Sequence, residues 1–199
     1  MKKKIENILW SIKHRCIDVY DFFVRDIPLF IKNIYKFRKE LWRRYDWDSG
    51  YTLAMMKRSL ELTCEYIDKK GHEVDISRLK KVDKMRRAID LLDHHINDTF
   101  HELAEIELGF KYTFKGIKFE KIEGKDLFKM EDKIPLTKIE KENNKKITEL
   151  SSVIENRTWD ELFSIIKGQD INEYRELLKT EEDPYNKWFD GSGIRGWWD

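Results

Sequence analysis

Leu79, Val82, Met85, Ile89, Leu92, Ile96, Phe100 and Leu103 recur at steps of three and four without a slip. That period lines them along one face of an α-helix and does not suit a strand, whose faces alternate every second residue. An uninterrupted helix over about 76–107 would span roughly 48 Å. That is long for a globular domain, so a kink or an oligomeric spine is expected. Asp75 or Ser77 supplies a cap, and Gly109 follows the end. A chain organised around this element is mainly α: a helical bundle with a long amphipathic fourth helix.

Three helices are predicted before it. Ile5, Leu9, Ile12, Cys16, Val19 and Phe23 form a heptad-like seam over about 4–24. Asp26-Ile27-Pro28 suits the start of a second helix, about 28–45, with Phe30, Ile34, Phe37, Leu41 and Tyr45 on one side. Asp48 or Ser49 caps a third, about 49–69, with Leu53, Met56, Leu60, Cys64 and Ile67 as its seam. After Gly109 the period changes to two. Phe110, Tyr112, Phe114, Ile117 and Phe119 alternate with polar residues around Gly116, which predicts one small β-hairpin over about 110–122 and a loop over 124–133. Thr137 with Glu140, Thr158 with Glu161, and Asp170 with Glu173 predict three short helices ending at Asp183-Pro184, with an irregular tail beyond. The expected organisation is a bundle over 1–109, the hairpin and loop over 110–134, and a short-helix C-terminal region over 135–199 packed on the bundle.

The net charge of +1 conceals an asymmetry. Residues 1–45 hold twelve Lys/Arg and five Asp/Glu, a net of +7, so the remainder carries −6. A basic segment of this kind can steer nucleic acid, nucleotides or a lipid surface, or can pair with acidic helices of the same chain or a second copy. The aromatic content of 13% argues against a disordered chain. Cys16 and Cys64 make no CxxC pair and are expected as reduced thiols. No stretch approaches the apolar length of a membrane span, and charged residues interrupt the N-terminal apolar run that a signal peptide needs.

Candidate chemistry is sparse. Asp90, His94 and Asp98 stand at i, i+4 and i+8, with His95, His101, Glu102 and Glu105 nearby. A carboxylate-bridged metal site would need inward ligands from several helices, and these residues lie off the apolar stripe, so a solvated face is expected and no cofactor. Gly191-Ser192-Gly193-Ile194-Arg195-Gly196 matches the dinucleotide-binding glycine pattern in letters only, since three residues cannot supply the helix that must follow. The glycines instead suit tight turns that fold Trp197 and Trp198 back onto the body. The aromatic–arginine stretches remain. Trp42, Arg43, Arg44, Asp46, Trp47, Asp48 and Tyr51, together with Arg195, Trp197 and Trp198, offer π-faces, guanidinium donors and orienting carboxylates. If the tail meets the 42–51 corner, these residues form a ligand-binding pocket; otherwise they fill a core corner closed by Arg–Asp pairs.

The run Trp-Arg-Arg-Tyr-Asp-Trp-Asp-Ser-Gly-Tyr at 42–51, its Leu/Met-rich helix, and the ending Phe-Asp-Gly-Ser-Gly-Ile-Arg-Gly-Trp-Trp-Asp at 189–199 resemble a group of uncharacterised proteins of large tailed bacteriophages. The resemblance covers about the first 110 and last 40 residues. It implies a small helical fold in the cytoplasm of a bacterial host, and carries no catalytic residue with it. The first functional expectation is a non-enzymatic accessory protein that binds a host (defence) protein or sequesters an anionic nucleotide-like ligand. Nucleic-acid binding through the basic N-terminal helices is the second, and a metal-dependent phosphohydrolase using the 90–105 face the third. A homo-oligomer is compatible with all three.

Overall fold

The computed structural model describes residues 17–42, 49–123 and 127–197. It is mainly α, with a single two-stranded antiparallel hairpin and short helical elements near the C-terminus. The chain divides into two compact units, Met1–Arg58 and Ser59–Asp199.

In the first unit, residues 17–42 are helical throughout. The break expected at Asp26-Ile27-Pro28 is instead a π-helical turn, Phe22–Asp26, in which the Ile27 N–H donates to the Phe22 carbonyl. Pro28 has no N–H to continue the α ladder, and the wider turn immediately before it accommodates that loss without ending the helix. Helix α1 (Ile27–Trp42) continues from there, and helix α2 (Ser49–Lys70) begins in this unit. Within the unit Arg58 of α2 donates from Nε to the Lys36 carbonyl at 3.0 Å. Not one described residue of 17–42 is buried.

The second unit holds the main core. Leu60, Cys64 and Ile67 of α2 are buried, as their spacing predicts. Helix α3 (Asp75–Asn97) buries Val82, Met85, Ala88, Leu91 and Leu92. Arg78 and Arg86 of α3 both reach Asp68 of α2, at its carbonyl and its carboxylate. The long predicted helix is interrupted. Asp98 takes a left-handed conformation (φ 50°), its N–H bonds the His94 carbonyl, and a separate helix α4 (Phe100–Leu108) follows. Aspartate tolerates that conformation better than most side chains, and the three-four spacing of the apolar residues passes over the break unchanged.

The hairpin lies further along than the alternation suggests. Strands β1 (Ile117–Lys121) and β2 (Phe128–Asp132) pair with Lys118 opposite Glu131 and Phe119 opposite Met130. Thus part of the predicted loop is a strand, and residues 110–116 lie outside the ladder, except that the Gly116 carbonyl accepts from the Lys133 N–H at 2.9 Å. Helix side chains bind part of this backbone: Glu105 accepts from the Tyr112 N–H, and Asn144 bonds both the N–H and the carbonyl of Thr113.

Helix α5 (Lys138–Lys167) is continuous over thirty residues. Its capping box at Thr137 and Glu140 and its stop at Gly168 agree with the sequence. The box expected at Thr158 does not form. Thr158 is inside the helix, buried, and its hydroxyl donates to the Glu155 carbonyl. Helix α5 packs against α3 and α4, and Phe100 and Ala104 of α4 form a buried cluster with its Ile147 and Ile154. Helix α6 (Ile171–Leu177) follows, capped by Asp170. Asp183-Pro184, expected to end the helices, starts another: Asp183 caps helix α7 (Pro184–Trp188), with Pro184 in the first turn. A short 3-10 turn, Ile194–Gly196, closes the described chain.

Candidate functional site

The tail folds onto the second unit through backbone contact. Lys80 of α3 donates from Nζ to the carbonyls of Asn186 and Phe189, at 2.9 and 2.7 Å. The Gly193 N–H donates to the Ile165 carbonyl at 2.8 Å. A Cβ on Gly191 would collide with the Lys80 carbonyl, and one on Gly168 would stand 2.6 Å from the Gly193 Cα. Both glycines also have positive φ, at 91° and 76°. These contacts seat Trp197, whose indole N–H donates to the Gly191 carbonyl at 2.8 Å and whose ring is 1% exposed. The glycines therefore serve a close approach, as the failed dinucleotide motif suggested.

One wall of a polar cleft of about 280 Å³ comes from this tail, and the others from α3, α5 and the start of α6. Lys84, Lys167, Asp170, Glu173, Asp190 and Ser192 line it. Lys84 Nζ stands 3.0 Å from Asp190 Oδ2. Burial works to raise the Asp190 pKa, but donors on Ser192 and the Lys84 ammonium hold the carboxyl below its ordinary range. Three carboxylates against two ammonium groups do not favour an anionic ligand here.

The polar face of α3 is occupied with its own chain. His94 Nδ1 meets the Thr99 hydroxyl at 2.7 Å, and His95 stacks on Trp159 with ring centroids 3.8 Å apart. Burial lowers the His95 pKa, and its Nε2 lies 3.2 Å from the Thr158 hydroxyl. Arg87 forks onto both oxygens of Glu161, at 2.7 and 2.8 Å, tying α3 to α5. The left-handed Asp98 leaves the helix, so the expected row of Asp90, His94 and Asp98 does not continue along one face. Among the described residues, no three His, Cys, Asp or Glu side chains are grouped to hold a metal ion.

Of the residues expected to bind a ligand, Arg43, Arg44, Asp46, Trp47, Asp48 and Trp198 lie outside the described residues. Trp42 ends α1 and is 86% exposed, and Tyr51 is half-buried in the first turn of α2. Arg195 is exposed on the 3-10 turn, beside the buried Trp197. Trp42 and Tyr51 belong to the first unit, Arg195 and Trp197 to the second.

The largest chemical feature of the first unit is the helix over 17–42. Ile27, Phe30, Ile34, Phe37 and Leu41 follow steps of three and four, and so share one face of α1. Phe30 is 63% exposed, and Ile31, Ile34, Tyr35, Leu41 and Trp42 are also exposed. Before them, Tyr20, Phe22, Phe23 and Val24 stand exposed around the π turn. Lys32, Lys36 and Lys39 occupy the other side of α1. The sequence identified this stripe but assigned it to a bundle interior; the exposure is what the sequence did not reveal. Among the described residues no helix is long and apolar enough to cross a membrane. No protein-family model matches the chain, and no curated protein or solved structure matches it either.

Proposed function

We propose that this protein acts by binding, not by catalysis, and that the apolar face of the 17–42 helix is the surface that binds another protein molecule. The observation carrying this reading is the row of exposed Phe30, Ile34 and Leu41 along one face of α1, with Phe22 and Phe23 exposed just before it. A scattered exposed Leu or Ile needs no explanation, but a contiguous aromatic stripe marks an interaction surface. An amphipathic helix of this length gains most of its stability by burying its apolar face, so an occupant is expected. Laying such a face into a partner's groove is a common recognition mode, and aromatic and arginine side chains supply its strongest contacts.

The second unit then serves as a folded body, with its tail locked onto α3 and α5. The resemblance to bacteriophage proteins makes an accessory role in a bacterial host the natural setting, with a host protein among the molecules bound.

Site-specific photocross-linking in cells tests this reading. A photoreactive residue at Phe30 gives a discrete protein adduct, and the adduct disappears when Ile34 is changed to Asp in the same chain. A reactive residue at Glu149, exposed on α5, serves as the control. Equal, diffuse labelling from both positions would remove the surface from consideration.

A further inference from the structure

We draw no further inference here: the strongest candidate, the exposed apolar face that Ile117, Phe119, Phe128 and Met130 give the β1–β2 hairpin, carries nothing because nothing in the structure shows what covers it.

Discussion

The indole N–H of Trp197 donates to the carbonyl oxygen of Gly191 at 2.8 Å, and this closes the glycine-rich tail around a fully buried ring. The bond ties the end of the described chain to the point where it touches Lys80. Trp197→Ala removes the ring and the bond together, and a loss of about 3–5 kcal/mol is expected from chemical unfolding.

Gly191 and Gly109 offer a matched pair. Both have positive φ, but a Cβ on Gly191 would meet the Lys80 backbone, whereas nothing lies within 4 Å at Gly109. Gly109→Ala is expected to cost about 1–2 kcal/mol, the strain of the left-handed conformation alone. Gly191→Ala adds a backbone collision, for about 2–5 kcal/mol in total. Equal losses in urea unfolding would mean that the tail does not pack on α3 as described.

Asn144 exchanges two hydrogen bonds with the backbone of Thr113, each 2.8 Å. Its loss leaves a partly buried N–H and carbonyl without partners. Asn144→Ala is expected to destabilise by about 1–3 kcal/mol. Hydrogen exchange at the Thr113 amide is expected to accelerate more than at Ile147 on the same helix.

Burial lowers the pKa of His95, stacked on Trp159. The unfolded chain therefore binds a proton there more readily than the folded one. Stability is full above about pH 6.5 and falls as the pH drops from there towards the depressed folded value. His95→Gln is expected to flatten the stability profile in that window; an unchanged slope would remove His95 as its cause.

Glu140 is depressed to about 2, first by the Lys115 ammonium and then by the Thr137 backbone and hydroxyl. The sign here is that of a stabilised carboxylate. Its contribution is present above about pH 4.5 and is lost as the pH falls towards 2. Glu140→Gln is expected to remove that part of the acid transition, read by circular dichroism, and to expose the 110–116 segment that Lys115 anchors.

Much of this fold was legible in the residues, and the parts that were not have physical reasons. The seam of α2 at Leu60, Cys64 and Ile67 was apolar and regular, and it is buried. Helix α5 was divided in two because its buried face alternates apolar with polar residues. Asn144, Ser151 and Thr158 sit there with Ile147, Ile154, Leu162 and Ile165. Each polar group finds a hydrogen bond nearby, so a reading based on apolar spacing alone misses it. The hairpin lies further along because the alternation at Phe110, Tyr112 and Phe114 does not report which partner satisfies the backbone, and here helix side chains do. The fold of Trp197 back onto the body was legible in the glycines before it, which permit close approach. The exposure of the 17–42 stripe was not, because spacing identifies a face and not what covers it.

The central claim is that the exposed face of α1 is covered when the protein is at work. Oxidative footprinting in intact expressing cells measures that directly, whichever molecule is the occupant. Phe30 and Ile34 are expected to be modified several-fold more slowly in the native chain than in a Leu41→Asp variant, while Phe163, exposed on α5, reacts equally in both. Equal modification of Phe30 and Ile34 in the two chains, at the rate of free surface residues, would contradict the account.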